Sequence, residues 1–295
     1  MGEIAAISAA FLWALSSILF SFAGKKIGSS TLNLLRLTFA ALFLLVVHTI
    51  VFGIPIPLDA SIQMWGWLSL SSIIGLVIGD LLLFQSFILV GPRLAMLVMA
   101  VSPVISVIIA WIFLHEVLST LQIFGVLTTI LGVSLVVVDR NTNQTAFSNN
   151  KNKWIGILFA IGAAIGQAIG LIFAKKGLPP EFSALSGVVI RVLIATISVW
   201  IFSLLTKQIP IHLEKIKKNP ETLKYTLAGA VVGPFIGVWL SLVAVQFAKV
   251  GIASTLMALT PIFHLPIGKI LKEEISFQAI FGTLIAVVGV AILFL

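Results

Sequence analysis

The sequence predicts an all-α polytopic membrane protein, with ten transmembrane helices arranged as two inverted five-helix repeats. Three observations lead there. The 295 residues are 60% hydrophobic and only 9% charged, against about 25% charged in an ordinary soluble domain, and a mean hydropathy of +1.20 leaves no water-covered surface. Ten windows are apolar over the ~20 residues that a spanning helix needs. The pattern of the first five windows then recurs in the second five. With no cysteine, disulfides and thiolate chemistry are excluded. The net charge of +8 reports loop orientation rather than nucleic-acid binding, because Lys and Arg of membrane proteins concentrate on one side.

The first window, 3–23, begins within MGEIAAISAAFLW. It has no basic n-region and no small-residue cleavage site, so it reads as a span and not as a removable signal. Windows follow at 31–52, 64–90, 93–114 and 119–138, then at 154–174, 183–205, 222–248, 251–271 and 276–295. Short connections such as GPR at 91–93 make neighbouring spans antiparallel. GIPIPLDASIQ (53–63) is a longer connection, neutral apart from one Asp. TKQIPIHLEKIKKNPETLK (206–224) is basic and reads as a solvated loop, with a short interfacial turn as the alternative. The Asn-rich DRNTNQTAFSNNKNK (139–153) reads as a polar linker, which sets the first repeat at 1–138 and the second at 154–295.

The repeats are visible residue by residue. MAVSP (99–103) recurs as MALTP (257–261), and GLVIG (75–79) recurs as GPFIG (233–237) at the same offset. IFGVLTTILGV (123–133) recurs as IFGTLIAVVGV (280–290), and GKK (24–26) as AKK (174–176). Five spans per half is an odd number, so the second half enters the bilayer from the opposite side. Inverted repeats suit alternating access, because exchanging the conformations of the two halves turns an outward-open cavity inward.

Asp80 stands in the apolar run IIGLVIGDLLLFQSF. A carboxylate near mid-membrane costs at least a few kcal/mol and is a functional-site hypothesis by default. Arg36 and Arg93 lie in the same half of the bilayer. The residue is thus either half of a helix-locking ion pair or a substrate-binding or proton-coupling carboxylate, and the two roles are compatible if the pair opens and closes. Crossed pairs Arg191–Glu116 and Arg36–Glu274 would occupy equivalent positions as gate latches, with snorkelling to lipid headgroups as the competing reading. Matching faces across the repeats nominates Trp13 and Ser17 on the first span and Gln167 on the sixth. Phe84 and Gln85 join Asp80 on the third, and Trp239 and Gln246 lie on the eighth. Met99 and Ser102 lie on the fourth, Met257, Thr260 and His264 on the ninth. Taken singly, the Trp and Met residues are better explained by ordinary helix packing, and an interhelical hydrogen bond is the competing role for Gln85, Gln167 and His264. His48 and His115 read as interfacial. Pro103, Pro261 and Pro234 each remove a backbone donor within a span, which marks them as hinges.

A proline-bearing fourth helix, an acidic residue at its end and a Gly-x6-Gly fifth helix occur twice: Pro103, Glu116, Gly125 and Gly132, then Pro261, Glu274, Gly282 and Gly289. With the early Arg36, this pattern resembles the drug/metabolite transporter superfamily, in its EamA-type ten-helix branch, over nearly the whole chain. The resemblance implies a central cavity lined by helices 1, 3, 4, 6, 8 and 9, with helices 5 and 10 peripheral. It also implies amino acids or other metabolites, or nucleotide sugars and sugar phosphates, as cargo. One departure makes the site asymmetric: Val238 stands where Asp80 would repeat. The resemblance implies both termini inside. The loops on the linker side, however, carry Lys25, Lys26, Arg93, Arg140, Lys151, Lys153, Lys207, Lys215, Lys217, Lys218, Lys224 and Lys272, against Lys175, Lys176 and Lys249 opposite. Positive-inside reasoning therefore puts the termini outside, and that bias is the preferred guide.

An intramembrane aspartyl protease needs a second mid-membrane aspartate, and Asp59 and Asp139 lie in a loop and at a span end. There is no His-Glu-x-x-His, no His cluster and no P-loop. The expected function is that of a secondary active transporter in the cell inner (plasma) membrane. It would move a small organic metabolite, an amino acid or a similar amphipathic solute, in the export direction by alternating access. No cofactor or metal is expected. The expected partners are a small-molecule substrate, the lipid bilayer and the proton as candidate coupling ion, with no nucleic acid, in a monomer or homodimer. The alternatives are a channel or facilitator, a proton-independent exchanger and, behind these, an intramembrane enzyme or scaffold.

Overall fold

In a bilayer, long apolar runs satisfy their backbone polar groups only as helices or closed barrels, and the runs of this chain are helical. The computed structural model describes residues 1–99, 101–138, 150–263, 266 and 276–293. The side chains of 21, 91–94, 96–97, 136–138, 150–153 and 279 lie outside the description. Among the described residues, six helices are long and apolar enough to cross a membrane, and four shorter apolar helices accompany them. These are the ten expected segments of a polytopic membrane protein.

α1 (Gly2–Phe52) holds the first two spans, which are joined by a kink and not by a loop. Gly28 makes the kink at φ 79°, ψ 164°, a left-handed region that a side chain would strain. α2 (Ile62–Ser72) runs into a π-helical segment, Ile73–Gly79, and then into α3 (Asp80–Met99). The helix assignment continues across 91–93, where a reversal was expected. α4 (Ser102–Leu114), α5 (Thr120–Val138), α6 (Asn150–Lys176) and α7 (Ala184–Leu205) follow.

α8 (Ile209–Lys218) corrects the expected solvated loop at 206–224. Pro210 sits in its first turn and three lysines in its last, both favourable for a helix. His212 is buried against the α1 kink, with Nδ1 2.9 Å from Thr31 Oγ1. α9 (Thr222–Ala230), a second π-helical segment Val231–Gly237, α10 (Val238–Phe247), α11 (Val250–Met257) and α12 (Phe277–Leu293) complete the order.

The halves interlock. α1 packs on α9, the second π-segment and α10, while α6 packs on α2, the first π-segment, α3 and α4. The first helix of each half thus lies against the π-segment of the other. α5 and α12 form a separate seam. A Cβ on Gly132 would come within 2.3 Å of Ala286 N, and one on Gly289 within 2.4 Å of Thr129 N. Only glycine permits that approach, the small-residue packing on which membrane helices depend.

Candidate functional site

Between these interlocked helices lies a cavity of about 870 Å3. α1 contributes Trp13, Ser16, Ser17, Phe20, Lys25 and Arg36 to its wall. The first π-segment and α3 add Leu76, Asp80, Phe84 and Met99; α4 adds Ser102 and Pro103; α6 adds Gln167 and Leu171. The second half closes it with Gly233, Pro234, Val238, Ser254, Met257, Thr260 and Pro261. Among the described residues, α5, α7 and α12 contribute none to the wall.

Among the described residues of the cavity wall, a charged contact joins Arg36 to Asp80. An Arg36 guanidinium Nη2 donates to Asp80 Oδ2, and the two side chains are 7% and 13% exposed. Arg36 Nε donates to Asn33 Oδ1 at 2.8 Å. Its guanidinium lies over the Phe84 ring at 4.9 Å and the Phe20 ring at 5.9 Å from the centroids. Ion pairing, hydrogen bonding and cation–π contact together hold the charge out of water, the compensation that a buried ion requires.

The first π-segment positions Asp80. Its extra residue per turn lets the Asp80 N–H reach both Gly75 O and Val77 O. The segment is thin where it meets α6: a Cβ on Gly170 would come within 3.1 Å of Gly75 Cα, and one on Gly166 within 3.3 Å of Gly79 Cα. Ser71 Oγ donates to Gly170 O at 2.5 Å, a further tie across this contact. The second π-segment repeats the backbone, with the Val238 N–H reaching Gly233 O and Phe235 O. Large side chains of α1 fill the matching contact. A Cβ on Gly237 would come within 2.8 Å of Trp13, one on Gly233 within 2.9 Å of Ser16 Oγ, and one on Gly229 within 2.5 Å of Phe20. π-segments of this kind recur at functional positions in helices. The repeated GLVIG and GPFIG stretches are therefore π-turns.

The two ends of the molecule are tied by different contacts. Lys26 pairs with Glu221 at 2.6 Å just before α9, whereas Lys175 Nζ donates to Val245 O, Gln246 O and Ala248 O at the far end of α10. Glu116 Oε1 lies 3.9 Å from Lys175 Nζ, and Glu116 Oε2 accepts from Val250 N at 2.7 Å, capping α11. Burial pushes the Glu116 carboxyl above its ordinary value, outweighing the opposing pull of the Val250 N–H and of Lys175 and Lys249.

This corrects the expected Arg191–Glu116 latch. Arg191 is the eighth residue of α7, buried at 3% exposure in mid-helix, so it lies too deep to reach the loop that carries Glu116. Arg36 is committed to Asp80, and Glu274 lies outside the described residues, as do His264 and the Arg93 side chain. The structure brings Trp13, Ser17, Asp80, Phe84, Met99, Gln167 and Met257 to one cavity, with Pro103, Pro234 and Pro261 on its wall. Gln85 stands beside it and accepts from Ser29 Oγ at 3.5 Å. Gln246 is away from it, its Nε2 bonded to Pro179 O and Phe182 O at 2.9 and 2.8 Å. Trp239 stacks on Phe235. His48, near the end of α1, is buried and bonded to Ile54 O and Ser186 Oγ. Ser16, Phe20, Lys25 and Ser254 were not anticipated. Ser16 and Phe20 continue the Trp13–Ser17 face at helical spacing, a signal that was legible.

The EamA-like transporter family matches residues 1–138 and 154–295, both halves of the chain. The chain belongs to the EamA-like transporter family. It is accordingly a multi-pass membrane transporter of small solutes, as the drug/metabolite transporter resemblance implies. Among solved structures, one crystal structure shares 16% identity over 99% of this chain and 95% of its own, with a TM-score of 0.77. That likeness shows a shared fold. The comparison with curated proteins gives no match.

Proposed function

We propose that this protein is a secondary carrier that moves a small amphipathic metabolite, of the size and character of an amino acid, by alternating access. The observation that carries the reading is the cavity itself: both halves wall it, and its buried Arg36–Asp80 pair lies at the end of a π-segment. It extends to the α1 kink at Gly24, Lys25, Gly28 and Ser29, while the Glu116–Lys175–Val250 cluster ties the opposite end. Such a vestibule belongs to one half of an alternating-access cycle. The apolar wall with a few Ser, Thr and Gln side chains suits a partly apolar ligand.

The two repeats, 1–138 and 154–295, are the units that exchange conformation, with Pro103, Pro261 and Pro234 as hinges. Asp80 and Arg36 bind solute, and a proton taken up by Asp80 on leaving Arg36 is the proposed coupling step. The proposed setting is the plasma membrane, with export as the direction. Purified protein in proteoliposomes tests this. Flux of the bound solute that saturates, shows counterflow and responds to a pH gradient supports the carrier. Non-saturating flux at channel rates overturns it.

A further inference from the structure

α8 connects two spans and packs on the mouth of the cavity. Its neighbours Ala184–Leu205 and Thr222–Phe247 are both long and apolar enough to cross a membrane, so 206–221 lies where they leave the bilayer. Lys207, at φ 55°, turns the chain out of α7 through a left-handed conformation that non-glycine residues seldom adopt. The inner face of α8 is then docked on the α1 kink. His212 is buried, with Nδ1 2.9 Å from Thr31 Oγ1. Ser30 Oγ donates to Gln208 Oε1 at 3.5 Å, and Lys215 Nζ stands 3.4 Å from where a Cβ on Gly28 would lie. Just beyond, Lys26 pairs with Glu221 at 2.6 Å. The same kink lines the cavity with Gly24, Lys25, Gly28 and Ser29.

The outer face is basic, with apolar edges. Segment 206–224 carries five lysines against Glu214 and Glu221, and each of these acids is already paired, with Lys218 and with Lys26. Lys207, Lys217 and Lys224 are exposed and have no ion pair among the described residues. Ile211 and Leu213 are 49% and 52% exposed. As the immediate neighbours of His212 they stand about 100° to either side of it, on the two edges of the docked face. Burial, with Lys215 beside it, lowers the His212 value, so the imidazole is neutral at neutral pH and the charge stays on the outer face. A short helix at the level where spans end, with apolar edges and a lysine back, has the form of a helix that lies in the membrane interface.

We propose that α8 is a docking surface for anionic phospholipid headgroups, which bind Lys207, Lys217 and Lys224 while Ile211 and Leu213 enter the acyl boundary, and so hold α8 on the α1 kink. Two features select this occupant. The unpaired lysines need negative charge, which lipid phosphates supply as strong acceptors and which anionic lipids supply in excess. The exposed Ile211 and Leu213 need an apolar cover, which a soluble anion does not offer and a bilayer does. With its inner face tied to Ser30 and Thr31 and its outer face tied to lipid, α8 carries the lipid composition to the cavity mouth without a contact inside the cavity. The inference is independent of the solute carried.

The chain has no cysteine, so Leu213→Cys carries a single bimane label on the full-length protein. It is placed in nanodiscs of phosphatidylcholine, alone or with phosphatidylglycerol as about a third of the lipid. Quenching of the label by acrylamide, a neutral quencher, is expected to fall at least threefold in the anionic bilayer. Amide exchange across 24–31 is expected to slow at least threefold with it, and high salt to remove both differences. Combining Lys207→Gln, Lys217→Gln and Lys224→Gln changes exposed side chains alone. It is expected to abolish both effects while the melting temperature in the neutral bilayer stays that of the parent. Glycerol 3-phosphate added to the neutral nanodiscs is expected to do neither; if it slows exchange as much as the anionic bilayer, the surface is a site for a free anion and the lipid assignment falls. Equal quenching in the two bilayers, or protection that survives the triple substitution, also overturns the assignment. Protection of the label with exchange across 24–31 unchanged overturns the hold on the kink.

Discussion

The two π-segments have the same backbone and different chemistry. Ile73–Gly79 and Val231–Gly237 are each seven residues long, and each ends on a residue whose N–H reaches two carbonyls of the segment. The residue is Asp80 in one and Val238 in the other, with φ/ψ of −70°/−33° and −70°/−34°. Their partners differ as well. The first lies on the glycines of α6, the second under Trp13, Ser16 and Phe20 of α1. The comparison separates two roles. Small residues let the backbone widen and pack, which both halves share. A single side chain at the end of the segment gives one wall its charge, which only the first half has.

The largest expected effect comes from making the first segment like the second. Asp80→Val leaves Arg36 buried without its carboxylate and is expected to cost about 3–5 kcal/mol, read as a fall in melting temperature, with flux reduced more than tenfold. Adding Arg36→Met removes the orphaned charge and is expected to recover most of the stability but none of the flux. Should the double variant melt as low as the single, the pair is not a coupled unit and the contrast between the segments is a packing difference alone.

The sequence shows Asp80 and Arg36 plainly, because a charge in an apolar run is conspicuous and the repeat offsets align GLVIG with GPFIG. Their pairing follows from shared depth. The Arg191–Glu116 latch failed on the same criterion, since Arg191 lies about 10 Å along α7 from Ala184, whereas Lys175 lies in the last turn of α6. α8 was hidden by Pro210 and its lysines, which look like loop residues until one face is seen to bury His212. The partner of each π-segment was harder to read. Gly166 and Gly170 on α6 correspond to Ser16 and Phe20 on α1, and nothing in a repeat offset tells which half a helix will pack against.

Exchanging those partners is the second test. Gly170→Phe installs the side chain that α1 carries at the matching place, but with a Cβ 3.1 Å from Gly75 Cα it forces α6 away from the segment. Overpacking of this kind is expected to cost about 1–3 kcal/mol, seen as a lower melting temperature with weaker solute binding. Unchanged binding and stability would mean that glycine contact is not what shapes the first segment.

A smaller effect asks whether Asp80 differs from any other half-buried acid of its half. Glu116 is held above its ordinary carboxyl value chiefly by burial. A folded-state value above the unfolded one means that the folded protein binds the proton more tightly. The stability it contributes is complete below the ordinary value and is lost as pH rises through the raised one. Melting temperature measured upward from pH 4 is expected to fall through that window. Glu116→Gln is expected to flatten the fall while leaving saturable flux intact. A flux loss as deep as that of Asp80→Val would make the two acids functionally equal and remove the distinction.

The smallest effect concerns the proline. Pro234 lies inside the second segment and lacks the donor that an α-helical turn would need, which makes it the evident cause of the π-turn. The first segment argues otherwise: it makes the same turn with Leu76 at the matching place and no proline. What the two share is Gly75 and Gly79 against Gly233 and Gly237, each pressed against a helix of the other half. If glycine contact sets the turn, Pro234→Ala keeps the π-geometry, changes stability by less than about 1 kcal/mol and leaves flux within a factor of three. If the proline sets it, the alanine variant reverts to an α-turn, which shifts the register of Val238 and everything after it by one residue and moves Gln246 off Pro179 and Phe182. Amide exchange across 231–247, compared with 73–90 in the same sample, separates these outcomes, because only the second predicts a change confined to one half.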